Sequence, residues 1–444
     1  KYKFCFTFLI KKYKVWKKEK NNIIHFPKIK KIDFWETKCY NIIEVRNMKL
    51  IKRNYLNTLI DVMGTPDIKV ITGVRRSGKS KLLEVFKEYI KSNVENYNII
   101  DINYNSLDFE DIKEYHKLNE FVKERYIKGR KNFLLIDEVQ MCEGFEKTIN
   151  SLHSEEKYDI YITGSNAFLL SSDLATLFTG RTFEIEVYPF SFKEYLEYFK
   201  YEDIDEAFKK YVLEGGMSGS YLYNSIDKKY DYLNDVYNTL IVRDIFERNN
   251  IKDPKLMSSL NDFLMDNISN RTSIRNVSNS LNSSESNLET NHKTVGNYIL
   301  YLCEAFAFYK ICRYDIKGKK YLNSDEKYYL SDHAFKYARL GTKNMDYGRT
   351  YENIVAIELL RRGYEVYTGV LYNKEVDFVV TKQNEKIYIQ VSDNLDNEET
   401  LKRETEPLLQ IKDAYPKLII ARTKHDDYQY EGIQIYDIAN WLAR

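Results

Sequence analysis

The chain has 444 residues and a mass of 53.0 kDa, which suits about two to four domains. Hydrophobic residues make up 43% and charged residues 30%, a globular balance with ample apolar material for a core. No stretch approaches the roughly 18 consecutive apolar residues of a spanning helix, which argues against an integral membrane protein. Five cysteines (Cys5, Cys39, Cys142, Cys303, Cys312), odd in number and unevenly spaced, make neither a disulfide framework nor a zinc pattern. They point to a reducing, cytoplasmic compartment.

The net charge of +2 is unevenly spread. Residues 1–47 hold 13 basic and 4 acidic residues, a balance of +9, which leaves 55 basic and 62 acidic residues, or −7, for the rest. An acidic body excludes a bulk nucleic-acid coat, so any DNA contact needs a local basic surface. Phe4–Ile10 is apolar behind Lys1 and Lys3. Its short core, the Lys11–Lys12 pair that follows and the lack of a small-residue cleavage site do not make a signal peptide. Residues 1–47 read as a non-globular extension upstream of a start at Met48. A flexible nucleic-acid arm and an ordered element are the alternatives.

Ile68–Thr72 is a short, β-branched run, as a buried strand is. Gly73-Val74-Arg75-Arg76-Ser77-Gly78-Lys79-Ser80 follows, an intact G-x4-G-K-S. Behind it Leu82, Leu83, Phe86 and Ile90 fall at helical spacing. Strand, glycine loop and helix stand in the order that a phosphate-binding loop needs. The glycines let backbone N–H groups wrap phosphates, and the helix N-terminus adds positive potential. Lys79 is expected to reach the β- and γ-phosphates of ATP and Ser80 to bind Mg²⁺.

Phe133–Ile136 followed by Asp137 and Glu138 describes a buried strand that ends in an active site. Asp137 is expected to hold Mg²⁺ through water, and Glu138 to orient and deprotonate the attacking water. The Asp-Glu pair favours ATP over GTP. Tyr158–Thr163 is a further strand, ending in Gly164-Ser165-Asn166. Ser165 or Asn166 either senses the γ-phosphate or caps a helix over Ala167–Leu170.

GVRRSGKS, LLIDEVQ, YITGSN and FTGRTFEIEVYPFSFKEY together resemble the AAA-type ATPases of bacteria and archaea that end in a nuclease-like domain. YVLEGGMSG, TLIVRDIFER, TYENIVAIELLRRGYEVY and EVDFVV extend the resemblance over roughly residues 48–444. It implies a role for Arg181 against a γ-phosphate, from the same or a neighbouring subunit, with pairing to Glu184 or Glu186 as the plain alternative. Arg75 and Arg76 either help hold nucleotide or bridge to the following domain. Arg243 and Asp244 are further candidates.

Leu256, Leu260, Phe263 and Leu264 mark one helix, residues 273–281 a second and Thr294–Phe306 a third, with a Ser/Asn-rich loop over Asn282–Thr290. A hairpin turning at Lys317-Gly318-Lys319 follows. That is the order of a winged helix. Lys310, Arg313, Lys317, Lys319 and Lys320 make its wing basic, and DNA or a protein surface suits it equally. Beyond it, a helix with Glu352, a strand with Asp377 and a strand with Gln390-Val391-Ser392 follow the ground plan of restriction-endonuclease-like folds. In that plan two acids bind metal and a lysine polarises the phosphate. Ser392 stands where the lysine belongs and Lys386 lies too early on the strand, so a structural or nucleic-acid-binding role is favoured over an active nuclease.

The fold class is thus α/β: a P-loop sheet domain over 48–200, a helical lid and winged-helix-like part over 201–335, and a nuclease-like α/β domain over 336–444. The function expected is an Mg²⁺-dependent ATPase that repositions its C-terminal half for an unknown protein client, with an oligomer as one open arrangement and no membrane partner. The alternative is an ATP-controlled DNA-binding or nuclease protein of a mobile-element or defence system.

Overall fold

The computed structural model describes residues 51, 53–165, 178, 180–249, 251–283, 290–342 and 345–444. The expectations for residues 1–47 and Met48, for Asn166 and the helix over Ala167–Leu170, and for the middle of the Asn282–Thr290 loop lie outside them.

Helix α1 (Asn54–Asp61) leads into β1 (Ile68–Thr72), whose five residues are all buried. A continuous apolar run of this kind marks a central parallel strand. Gly78, in the left-handed region at φ +105°, turns the chain into α2 (Lys79–Asn93). Then follow β2 (Tyr97–Asn103), α3 (Tyr115–Glu124), β3 (Lys131–Asp137), α4 (Phe145–Ser154), β4 (Tyr158–Thr163) and β5 (Thr182–Glu186). The five strands form one sheet in the order β2-β3-β4-β1-β5, and every pairing is parallel. Parallel pairing brings all C-terminal ends to one edge. Asn103 pairs with Asp137, Ile136 with Ile162, and Ile71 with Thr163. The glycine loop therefore opens on the same edge as Asp137, Glu138 and Thr163.

Helices α5 (Phe192–Phe199) and α6 (Ile204–Glu214) lead to a helical middle. It comprises α7 (Ile226–Thr239), a π-helical segment Leu240–Phe246, α8 (Pro254–Asp266), α9 (Ile274–Ser283) and α10 (His292–Glu304). Next come β6 (Phe308–Asp315), β7 (Lys320–Leu330), α11 (Ala334–Leu340) and α12 (Tyr347–Arg361). The chain ends with β8 (Glu365–Leu371), β9 (Lys374–Lys382), β10 (Glu385–Ser392), α13 (Glu398–Leu409), β11 (Lys417–Ala421), β12 (Tyr428–Tyr430), β13 (Ile433–Asp437) and α14 (Ile438–Ala443).

The three helices and the hairpin stand in the expected order, but the hairpin is not a free wing. β6 pairs in parallel with β8 through Arg313–Thr368, Tyr314–Gly369 and Asp315–Val370. The hairpin thereby becomes one side of an eight-stranded sheet, β12-β13-β11-β10-β9-β8-β6-β7. An unpaired strand edge leaves backbone N–H and C=O groups without partners, and β8 supplies them. The expected divide at residue 335 thus cuts through a sheet that begins at Phe308. Two of the wing cations face acids on the same hairpin: Lys310 lies 3.8 Å from Glu326 and Arg313 lies 3.3 Å from Asp325.

Packing ties the parts together. Val74 of the glycine loop joins the core of the helical middle beside Met217, Leu233 and Leu260. Residues of the Tyr188–Phe192 turn and of α6 share a core with α12, α14 and one face of the second sheet. At the start of α1, buried Arg53 donates through Nε to Glu194 Oε1 at 2.7 Å and through Nη1 to Ser77 O at 2.8 Å. Its Nη2 donates to Tyr188 O at 2.8 Å and to Glu194 Oε2 at 2.9 Å. Arg53→Ala leaves the Glu194 carboxylate buried without its counter-charge, a loss of about 3–5 kcal/mol by comparison with other broken buried pairs. The expected outcome is an earlier urea transition followed by far-ultraviolet circular dichroism, and Arg53→Lys, with no planar fork, does not restore it.

Candidate functional site

Two backbone constraints shape the glycine loop. Gly73 sits at φ +130°, and a Cβ there would stand 2.2 Å from the carbonyl oxygen of Val187, so no other residue fits. Arg76, with φ +67°, is held in the left-handed region although it has a side chain. The Lys79 ammonium folds back along the loop, donating to Gly73 O at 2.8 Å and Val74 O at 3.1 Å. Burial lowers the Lys79 pKa to about 8, against the opposing pull of the Glu138, Asp137 and Asp244 carboxylates. Ser80 follows on the first turn of α2, half-buried.

Beyond the loop, Thr163 organises the acidic pair. Its hydroxyl donates to Asp137 Oδ1 at 2.6 Å and accepts from the Glu138 N–H at 3.0 Å. Glu138 lies at φ +58°, a costly conformation for a residue with a side chain and one that recurs at functional sites. Gln140 Nε2 donates to Glu138 Oε2 at 2.5 Å, and Ser165 Oγ donates to the same oxygen at 3.4 Å. Ser165 therefore sits against Glu138. Four buried polar atoms around this edge have no protein partner: Thr72 Oγ1, Ser77 Oγ, Asp137 Oδ2 and Gln140 Oε1. Orphaned oxygens beside a glycine cradle and a buried ammonium fit a phosphate group with its cation.

Arg75 bridges to the following domain. It holds Asp244 in a two-pronged pair, Nε to Oδ2 at 2.9 Å and Nη2 to Oδ1 at 2.7 Å, and Asp244 lies on the π-helical segment. Arg76 is exposed. The same-subunit role implied for Arg181 does not fit. Its carbonyl accepts from Ile68 N–H at 2.8 Å, and β5 runs parallel to β1 from there, so Arg181 lies at the sheet edge opposite the loop. At about 3.3 Å per residue, four residues of β1 separate the two edges, farther than its side chain reaches. Glu186, its alternative partner, instead accepts from Tyr309 OH at 2.5 Å.

In the C-terminal sheet Glu352, Asp377 and Gln390 come together. Asp377 Oδ2 accepts from Val391 N–H at 2.8 Å, and Gln390 Oε1 accepts from Asp377 N–H at 3.3 Å. Ser392 is buried and donates to Asn394 O. Lys386 is turned away, its Nζ donating to Tyr314 OH at 3.2 Å. An unforeseen cation enters from β7: Lys327, 3% exposed. Burial opposes its charge, but Glu352, Asp377 and Glu375 raise its pKa above the ordinary lysine value. Burial raises Glu352 and Asp377. Arg53, Thr163 and Lys327 were the site residues missed. None of the three left a local signal: Lys327 directly follows Asp325 and Glu326 and reads as part of a solvated charge run.

Strand order, glycine loop and the acidic end of β3 define a P-loop nucleotide-binding fold of the AAA class. A family described as "AAA domain" matches residues 65–196, and a "Domain of unknown function (DUF8612)" matches residues 205–346. An uncharacterized protein of Haemophilus influenzae is 37% identical over 399 residues, covering 88% of this chain and 98% of that one. Uncharacterized protein MJ1544 of Methanocaldococcus jannaschii is 32% identical over 429 residues, 91% of each chain. The chain belongs to the family of these two proteins, with an AAA domain as its nucleotide-binding part. Among solved structures, DnaA of Aquifex aeolicus bound to AMPPCP aligns at 15% identity and TM-score 0.30, over 56% of this chain and 86% of that one. The Aeropyrum pernix ORC2 protein aligns at 10% and 0.36, over 77% and 98%.

The tight seat of Gly73 yields a test. Gly73→Ala displaces the loop from Val187, and ATP affinity measured by titration calorimetry falls by at least about tenfold, as small misplacements at preorganised sites do.

Proposed function

We propose that the chain is an Mg²⁺-dependent ATPase whose P-loop domain acts as a switch on the helical middle and the C-terminal sheet. The observation that carries this reading is Asp137 and Glu138 at the strand edge beside Lys79, near enough that their charges act on its proton affinity. In this reading the loop N–H groups from Val74 to Ser80 cradle the phosphates. Lys79 turns from the Gly73 and Val74 carbonyls to the β- and γ-phosphates. Ser80 and, through water, Asp137 would hold Mg²⁺, which neutralises phosphate charge when bound. Glu138, steadied by Gln140 and Ser165, orients the attacking water and takes its proton. Thr163 fixes the two acids relative to one another.

The switch has a physical route. Arg75 and Val74 belong to the phosphate loop, yet one is paired with Asp244 and the other is packed in the helical core. A change in the loop is therefore felt directly by the middle of the chain. Asp244 and a phosphate compete for the Arg75 guanidinium, which suits both. Arg181, exposed at the far edge, serves the γ-phosphate of a neighbouring subunit in this reading.

Lys79→Ala abolishes ATP binding, while Glu138→Gln keeps binding and loses turnover. Nucleotide titration and phosphate release separate the two, and equal loss of binding in both variants refutes the assignment. Arg181→Ala lowers turnover by about 10³–10⁵-fold with little change in affinity, the range of arginines that act on transition-state charge. Mixing it with Glu138→Gln restores part of the rate, because each variant supplies what the other lacks. Unchanged turnover in Arg181→Ala returns this residue to the surface.

A further inference from the structure

The C-terminal acidic centre is assembled from three elements. Glu352 comes from α12. Glu375 and Asp377 lie two apart on β9, so they share a face. Lys327 comes from β7. Its Nζ stands 2.8 Å from Glu352 Oε1, 2.6 Å from Glu375 Oε1 and 3.9 Å from Asp377 Oδ1. Tyr329 OH also donates to Glu352 Oε1, at 2.7 Å, and Arg271 Nε donates to Glu375 Oε2.

We propose that the Lys327 ammonium is the resident cation of this centre, standing where Glu352, Glu375 and Asp377 would otherwise hold a divalent metal ion. Charge balance supports the substitution. Fully ionised, the three carboxyl groups bring three negative charges. Lys327 and Arg271 return two positive ones, the charge of a single divalent ion. Geometry agrees. A metal ion takes carboxylate oxygens at about 2.0–2.6 Å, whereas an ammonium takes them at hydrogen-bond distance, as it does here for Glu352 and Glu375, with Asp377 an ion-pair neighbour at 3.9 Å. The ammonium also serves the fold, because it fixes β7 to α12 and β9 across the two parts of the second sheet.

The protein as it stands therefore binds no divalent ion at this centre and does not cut DNA through it. Removing the ammonium while keeping its bulk, as in Lys327→Met, leaves buried carboxylates that are short of positive charge. Such a group must take up protons or a cation.

The test is a Mn²⁺ titration of the full chain without nucleotide, followed by the paramagnetic resonance of free Mn²⁺. Wild type and Asp377→Asn are expected to give the same isotherm. Lys327→Met gains one Mn²⁺ per chain, at least about tenfold tighter than any wild-type site, since uncompensated buried charge is costly. The gain is absent from Lys327→Met with Asp377→Asn. Circular dichroism and ATP turnover report that Lys327→Met is folded. A wild-type site lost in Asp377→Asn overturns the proposal, as does a folded Lys327→Met with no added site. Mn²⁺-dependent DNA cleavage by wild type that Asp377→Ala stops overturns it too, and makes Lys327 a catalytic lysine. If Lys327→Met fails to fold, the wild-type and Asp377→Asn isotherms decide alone: equal curves uphold the proposal, and a lost site ends it.

Discussion

A single buried guanidinium, that of Arg53, sets the frame in which the phosphate loop works. Its donors reach Ser77 O inside the loop, the Tyr188 and Pro189 carbonyls after β5, and both oxygens of Glu194. Glu194 also closes the N-terminus of α5, where its carboxylate accepts from Ser191 N–H and the Ser191 hydroxyl accepts from Glu194 N–H. One charged pair therefore fixes the loop, the turn leaving the sheet and the first helix beyond it. Planarity matters here. Five N–H groups in a rigid fork meet carbonyls and a carboxylate at once, which a lysine ammonium cannot do. Gly73 adds the complementary constraint from the other side, pressed against Val187 O. The loop is thus gripped at both ends by the segment that follows β5, and that segment leads directly into the rest of the chain.

From this grip a continuous path of contacts runs outward. Val74 enters the helical core, and Arg75 pairs with Asp244 on a π-helical segment, a geometry that is rare and frequent at functional sites. On the other side of β5, Glu186 accepts from Tyr309 of β6, and Tyr188 lies against the same ring. β6 continues into the second sheet, and β7 carries Lys327 into the acidic centre. Gly215 and Gly216 close the junction. A Cβ on Gly216 would meet Phe190 O at 2.3 Å, and one on Gly215 would meet Asp332 Oδ1 at 2.1 Å. Such close approaches leave little room for the parts to slide independently. In the proposed switch, these contacts are the route by which a shift at the loop would reach the second sheet.

The sequence carries the local parts of this design openly. A β-branched run, four glycine-loop landmarks and an apolar strand ending in Asp137-Glu138 are contiguous motifs whose chemistry depends on neighbours in the chain. What stayed hidden depends on partners far along it. The hairpin of β6 and β7 has the residues of a wing, and nothing local says that β8, some fifty residues later, takes its edge. Arg181 follows a sensor-like strand in the sequence, but a strand entering parallel to β1 must start on the edge away from the loop. Arg53 precedes its partner Glu194 by 141 residues, and no spacing rule links them. Ser392 was legible as a missing cation. Its replacement, Lys327, was not, because the lysine arrives from a strand that sequence reasoning had placed in another domain.

The two acidic centres of the chain show how satisfaction of oxygen atoms separates an open site from a closed one. At the end of β3, Asp137 gives one oxygen to Thr163 and keeps the other buried and unpartnered, beside Thr72 and Ser77 hydroxyls in the same condition. Buried polar atoms without partners are costly, and a fold retains them where binding a ligand recovers the loss. At the C-terminal centre no carboxylate oxygen of Glu352, Glu375 or Asp377 is among the buried unpartnered atoms. Lys327, Tyr329, Arg271 and the Val391 N–H take up the acceptors from within the chain. The first gathers its acids at a strand end and the second on a strand face and a facing helix, so residue type alone makes them look alike. The difference lies in where the compensating charge resides: outside the chain in the first, and on a side chain of the fold itself in the second.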